Sequence, residues 1–395
     1  MIEIALVAGA RPNFMKIAPV LRQMSRLGSQ LRPSLIHTGQ HSSQEMSGVF
    51  FDQLGIRTPD VHLEVGPCSQ GAQTGRILER LESEFIEHRP AAVLVVGDVN
   101  STLAAALAAT KLHIPVIHLE AGLRSHDRSM PEEINRLAID AIADHLLVSE
   151  PDGEANLSRE GIHPSRLHYV GNVMIDTLAS EIQEARSLGV LSAFGVKGTP
   201  FVLATFHRPS NVDGREPLSR LVDFLEDLSS HLRVLFPIHP RTRLRLAEFG
   251  LLDRLNRVQL LEPLGYHQNI GLMDSAAVVL TDSGGMQEET TFLGTPCLTF
   301  RPSTERPVTV TEGTNTVVGS DFALADSLIA DILDGRYKTG RPIRGWDGSA
   351  AQRVVAFLEN QFAPRPVPFA ETESAFAYAC PNSTLEPSAP GQANR

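Results

Sequence analysis

The stretch Ala276–Phe300, AAVVLTDSGGMQEETTFLGTPCLTF, decides the fold. Its apolar, β-branched run Val278-Val279-Leu280 reads as a buried parallel strand. A sharp polar turn follows, Thr281-Asp282-Ser283-Gly284-Gly285. A helix is predicted to open at about Gly285, with Ser283 as N-cap, and to close at Gly294 before Pro296. Two glycines let an anion approach the bare amides at the helix's positive end. Glu288 and Glu289 follow inside that helix. A carboxylate there repels phosphate but accepts hydrogen bonds from a ribose diol one turn away. Phosphate and ribose together suggest a nucleoside diphosphate. An ordinary capped strand–helix turn has the same spacing, so the turn alone leaves both readings open.

Outward from this unit, strand-like and helix-like runs alternate throughout, the pattern of an α/β protein. In the first half the predicted strands are Glu3–Ala8, Ser34–Thr38, Ala92–Val96, Pro115–Leu119, His145–Val148 and Leu167–Val170. Predicted helices between them include Asn13–Leu27, Gln70–His88 and Pro131–Ala143. In the second half, strands Phe201–Thr205, Val234–Pro237 and Val258–Leu261 precede the opening unit. Helix Val173–Leu188 and the loose stretch Gly189–Pro200 read as the domain connection. With 395 residues the chain is too long for one core. The expected fold class is α/β: two Rossmann-like doubly wound domains, residues 1–172 and 173–362, facing across a cleft. The last helix, about Gly348–Phe362, is expected to return to the first domain. Residues 363–395, rich in Pro, Ala and Ser, read as a disordered or strap-like tail.

A net charge of -11 argues against a nucleic-acid or anionic-membrane partner. An anionic ligand then needs a local cluster of Arg, Lys and amide groups. The three cysteines, Cys68, Cys297 and Cys380, form no CxxC pair, which fits a reducing compartment and gives no zinc pattern. The start, MIEIALVAGARPNFMK, has no basic region before its apolar run and reads as a first strand rather than a signal peptide. No apolar run approaches a membrane span, so a cytoplasmic protein is expected.

Ligands in doubly wound sheets sit at the carboxyl ends of the strands. Arg11, Asp98, Glu120, His207, His239 and the Ser283 turn each follow a predicted strand. Any one of them serves equally as a turn or cap residue. Six together favour a site, because incidental polar residues would also gather at the opposite ends. Asp98 and Glu120 end successive strands, and two close carboxylates push one pKa upward. That arrangement supplies a base and an acid at one place. Glu132 and Glu133 open the next helix, where acids are favoured in any case. Arg124 and Arg136 are candidate partners for these acids. Arg11, Lys16, Arg301 and Arg306 would balance a diphosphate, though Lys16 also reads as surface charge. There is no G-x-G-x-x-G after the first strand, no Walker A and no H-E-x-x-H, so neither a cofactor nor a metal is expected.

Seven ordered motifs carry a resemblance from about Ile4 to about residue 360. They are Gly9-Ala10-Arg11-Pro12, Gly97–Thr102, His118–Arg124, Pro131–Arg136, Gly171-Asn172, Thr281–Glu289 and Thr304-Glu305-Arg306-Pro307. Together they resemble the non-hydrolysing UDP-N-acetylglucosamine 2-epimerases. The resemblance implies a glycosyltransferase-B-like fold, a homodimer and a UDP-sugar substrate whose C2 is inverted. The implied route eliminates UDP through a 2-acetamidoglucal and adds it back. It implies Asp98, Glu120 and Glu132 as catalytic carboxylates and His207 as the active-site histidine, without saying which acid takes the proton. It implies Arg11, Ser283, Gly284, Gly285 and Glu289 as UDP-binding positions. Lys16, Arg136, His239 and Arg306 complete the expected binding set. The chain departs from the family at Asn13, where many members carry an acid, and at Arg208-Pro209, where others have a second Arg. The segment Gln40-His41-Ser42-Ser43-Gln44 also differs from the allosterically activated bacterial form. Enzymes acting on 2,3-diacetamido uronic acid versions of the sugar share most of these motifs, and hydrolysing relatives share the chemistry. A retaining glycosyltransferase or a UDP-sugar sensor would not need the acidic trio.

Overall fold

The computed structural model describes residues 1–26, 28–40, 51 and 54–362. The tail 363–395, Leu27 at the predicted end of the first helix and the segment His41–Gln44 lie outside the described residues. Strands β1 (Ile2–Ala8), β2 (Leu31–His37), β3 (Val61–His62), β4 (Ala92–Val96), β5 (Val116–Ala121), β6 (His145–Val148) and β7 (Leu167–Tyr169) form one sheet. Its order is β3-β2-β1-β4-β5-β6-β7. Strands β8 (Phe201–Thr205), β9 (Arg233–Pro237), β10 (Gln259–Leu261), β11 (Val278–Thr281), β12 (Cys297–Thr299) and β13 (Asn315–Val317) form a second, ordered β10-β9-β8-β11-β12-β13. Every pairing in both sheets is parallel. This is the two-lobed, doubly wound α/β fold expected.

Parallel strands are covered on both faces, which is why β4 and β11 read as unbroken apolar runs and are buried at every residue. In each sheet the order reverses, between β1 and β4 in the first and between β8 and β11 in the second. A crevice opens at such a reversal because the two flanking loops run to opposite faces. Lys16 lies in the first helix after β1, Asp98 after β4, His207 after β8 and Ser283 after β11.

The helix Ala350–Phe362 packs with Arg11–Met24 and Val173–Ser187 in one apolar cluster that includes Ile17, Leu21, Leu178, Val354 and Leu358. Its start is fixed by Asp176, whose carboxylate accepts from the Ala350 and Ala351 amides at 3.0 and 2.7 Å. Both contacts meet helix N-terminal donors that have no partner within the helix. Among the described residues, no helix is long and apolar enough to cross a membrane.

Several boundaries differ from expectation. Strand β2 begins at Leu31, not Ser34, and carries Pro33 opposite Ile4. Pro33 is tolerated because β3 pairs only with Ile36 and His37, leaving an open edge there. The first helix starts at Arg11, with Pro12 in its first turn, where a missing N–H costs nothing. Helix Gly284–Leu293 has Ser283 at its N-cap, but the serine side chain makes no capping bond. The Ser283 amide instead donates to Thr281 Oγ1 at 3.0 Å.

The end of β5 shapes the cleft floor. Leu119 and Ala121 pair with consecutive β6 residues, Leu147 and Val148, so Glu120 is an extra residue. It sits at φ 70, and Gly122 follows at φ 85. A Cβ on Gly122 would lie 2.5 Å from the Gly153 carbonyl oxygen. Gly122→Ala therefore meets left-handed strain and a backbone clash together. It is expected to destabilise the protein by about 2 kcal/mol or more, measured by urea unfolding against wild type.

Candidate active site

A cavity of about 520 Å³ lies between the carboxyl ends of the two sheets. Lys16, Asp98, Glu132 and Arg136 line it from the first lobe. His207, His239, Ser283, Gly284, Gly285, Glu289 and Arg306 line it from the second. Arg11 begins the first helix; its side chain lies outside the described residues.

On the first wall, Arg136 holds Asp98 through Nε at 2.9 Å and is also paired with Glu133. Arg136 is thus committed to carboxylates rather than open to a phosphate. Glu133 braces the loop before its helix by accepting from the Ser125 and His126 amides at 2.9 and 3.0 Å. Glu132 is left on the cleft side. Arg124 does not join these acids: it pairs with Asp140 and Glu160, each at 2.7 Å. Asp140 also meets His118 Nδ1 at 2.6 Å, while His118 Nε2 meets the Gly97 carbonyl at 2.9 Å. This buried chain fixes the strand ends that carry Asp98 and Glu120.

Asn13 explains one departure from the family pattern. Its Oδ1 accepts from the Ala10 amide at 3.1 Å, and its Nδ2 donates to the Val96 carbonyl at 3.0 Å. The second bond needs a donor, which a carboxylate lacks.

Glu120 is 5% exposed, and its carboxylate is shared by Lys16 and Arg306. Burial pushes its pKa up, but these cations prevail and hold it below the usual carboxylate range. The expected Asp98–Glu120 crowding is therefore not what sets its protonation. Of the acids paired with Arg306, Glu288 is raised, by burial and by the charge of Glu120, against the pull of Arg306. Glu288 accepts from Asn172 at 2.7 Å and lies 2.7 Å from Arg306 Nε. It lines the cavity, as Glu289 does, but is occupied with protein partners. Arg306 also approaches Glu305 at 3.3 Å, and Arg301 pairs with Glu305 at 2.7 Å. Both arginines, expected to face a diphosphate, are chiefly bound to carboxylates.

On the second wall, buried Asp282 accepts from the His207 and Arg208 amides at 3.0 and 2.9 Å and from Asn211 Nδ2 at 3.0 Å. It also meets His207 Nδ1 at 3.0 Å. An imidazole oriented this way presents Nε2 on its other side. The His239 ring lies 5.5 Å from that of His207. Burial, with the neighbouring His207 charge, holds His239 below its ordinary pKa. Pro237, Pro263, Leu264 and Tyr266 add an apolar wall that the strand-end rule did not find. The two glycines divide their work. A Cβ on Gly284 would come 2.7 Å from Glu305, whereas one on Gly285 would meet only Met174 Cε, at 3.9 Å. Gly284 is thus bare to admit Glu305, and Gly285 keeps the cleft side open. Asp282 and Asn211 had no spacing signal of their own, although Asp282 stands in the quoted turn.

The arrangement offers acids on one wall, and on the other a helix N-terminus with an oriented imidazole. Residues 25–359 match the family model described as UDP-N-acetylglucosamine 2-epimerase. A UDP-N-acetylglucosamine 2-epimerase of Methanococcus maripaludis is 40% identical over 372 residues, covering 92% of this chain and 100% of that protein. A UDP-2,3-diacetamido-2,3-dideoxy-D-glucuronate 2-epimerase of Pseudomonas aeruginosa is 39% identical, covering 90% and 99%. The crystal structure of the Methanocaldococcus jannaschii UDP-GlcNAc 2-epimerase in complex with UDP-GlcNAc and UDP superposes with a TM-score of 0.83 at 36% identity, covering 91% and 100%. The chain belongs to the UDP-N-acetylglucosamine 2-epimerase family.

Proposed function

We propose that this protein reversibly epimerises UDP-N-acetylglucosamine to UDP-N-acetylmannosamine at C2. The observation that carries the reading is the shared cavity: Asp98 and Glu132 on one wall, the Ser283–Gly285 turn on the other. The C2 hydrogen of the sugar is not beside a carbonyl and is not acidic. Its removal becomes feasible when the C1–O bond to UDP breaks in the same step. The C2–H electron pair then forms the C1–C2 double bond of 2-acetamidoglucal, and UDP departs with the C1–O pair. Reprotonation of C2 on the opposite face and re-addition of UDP at C1 complete the inversion. This chemistry needs a base, an acid on the other face and a positive cradle for UDP.

Asp98, Glu120 and Glu132 supply the carboxylates in this reading. Asp98 and Glu132 reach the cavity directly; Glu120 holds Lys16 and Arg306 beside the diphosphate. His207, aligned by Asp282, faces the leaving group. The helix beginning at Gly284 offers its first amides to the phosphates, helped by Arg11, Lys16 and Arg306. Glu289 accepts from the ribose, and His239 with the apolar wall covers the base. Arg136 acts on Asp98 and Glu133. The lobes divide as residues 1–172 and 173–362, and the protein works as a cytoplasmic homodimer. A 2,3-diacetamido uronic acid sugar nucleotide is the second reading, favoured by the Pseudomonas aeruginosa relative at nearly equal identity.

In deuterium oxide, incubation with UDP-N-acetylglucosamine is expected to place deuterium at C2 while the sugar stays on UDP, read by proton NMR. Free N-acetylmannosamine would indicate a hydrolase, and an unlabelled C2 would refute the epimerase reading unless the diacetamido uronate is labelled instead. Asp98→Asn and Glu132→Gln are each expected to lower kcat by about 10²–10⁴-fold. UDP affinity by calorimetry should change little; a near-normal rate removes that residue from proton transfer. Glu289→Ala is expected to weaken UDP binding by about 10–100-fold, and unchanged affinity would contradict its ribose role.

A further inference from the structure

Behind the cleft lies an acid that the proposed chemistry does not use. Glu150 follows β6 and occupies the N-cap of helix Pro151–Arg159, yet its side chain caps nothing. It is 0% exposed, and neither carboxyl oxygen has a hydrogen-bond partner. Its electrostatic neighbours are Arg306, Glu288, Asp152 and Glu120, with the Tyr169 phenol also within range. That phenol donates elsewhere, to the Arg344 carbonyl at 2.5 Å.

The charges of this cluster can be counted among the described residues. Lys16 pairs with Glu120, Arg306 with Glu120, Glu288 and Glu305, and Arg301 with Glu305. Three cations thus meet three carboxylates. Arg136, within range of Glu120 and Glu305, is already shared by Asp98 and Glu133. Among the described residues none of these cations forms an ion pair with Glu150. A buried carboxylate without a cation or hydrogen bond is far costlier than a neutral carboxyl in the same place.

We propose that Glu150 carries its proton in the folded protein and is a positioning residue for Arg306. While it is neutral, the guanidinium is shared by three carboxylates instead of four. Its charge remains attractive to an anion in the cleft. Burial, reinforced by the charges of Glu288, Asp152 and Glu120 and opposed by Arg306, acts in the same direction.

The benefit to a bound diphosphate rests on the proposed function, but the proton itself is tested without ligand. Infrared spectra of the full-length protein carrying carboxyl-labelled glutamate, at about pH 7, are expected to show a protonated side-chain carboxyl band that loses intensity in Glu150→Gln. No such band in wild type, or a band unchanged in the variant, overturns the proposal. Unfolding gives a second readout. An unfolded glutamate ionises near about pH 4.3, while the folded Glu150 stays protonated above that. The native state then binds the extra proton, so rising pH favours the unfolded chain. From about pH 5 to 7 the wild-type folding constant, relative to that of Glu150→Gln, should fall by up to about tenfold per pH unit. A ratio independent of pH also overturns the proposal. Glu150→Met, likewise unable to ionise, supplies both comparisons where the glutamine variant does not fold. Loss of UDP binding with both results intact would sink the sugar-nucleotide reading and leave the assignment of the proton standing.

Discussion

One buried guanidinium joins the two halves of this protein. Arg306, from the second lobe, pairs with Glu120 at the end of β5 in the first and with Glu288 in the helix after β11. Asn172 meets the same Glu288, so two polar links converge on one carboxylate. Ions buried this deeply gain little over apolar packing, because desolvation offsets most of their attraction. Removing one partner is another matter, since it leaves a buried charge unpaired at about 3–5 kcal/mol. The arrangement therefore specifies geometry more than it adds stability. It sets where the acids of one wall stand relative to the glycine turn of the other.

Topology places this interaction where chemistry is possible. The order of each sheet reverses at its first strand, and the loops beside each reversal open toward the cleft. Glu120 is the extra residue of a bulge and holds a left-handed backbone. Non-glycine residues adopt that conformation at a cost of about 1–3 kcal/mol. Its ion pairs with Lys16 and Arg306 supply a reason for the strain to persist. The second wall uses a cheaper device: Asp282 collects the amides of His207 and Arg208 and aligns the imidazole in the same contact.

Much of this was legible in the residues. The run Val278-Val279-Leu280 is apolar because β11 is buried on both faces, and that marks a parallel strand at once. Asp98, His207 and Ser283 were visible because a doubly wound sheet brings its carboxyl strand ends to one side. What stayed hidden depends on pairing across many residues of chain. Arg306 and Arg301 looked like phosphate ligands, since nothing in their spacing shows that Glu120, Glu288 and Glu305 surround them. Glu288 and Glu289 are adjacent and alike in sequence and both line the cavity, and nothing in their spacing shows that Glu288 meets the Arg306 guanidinium. Strand β2 runs back past Pro33 to Leu31, because a missing N–H matters only where a neighbour would use it. The diacetamido and acetamido sugars differ at groups whose contacts no motif here records.

The most direct test is a double-mutant cycle between Glu120 and Arg306. Glu120→Gln, Arg306→Met and the double variant are compared with wild type by urea unfolding. A bridge that sets the lobes should give a coupling energy of about 1–3 kcal/mol. Single-variant losses that simply add, within about 0.5 kcal/mol, would show that the two lobes are held in place by something else.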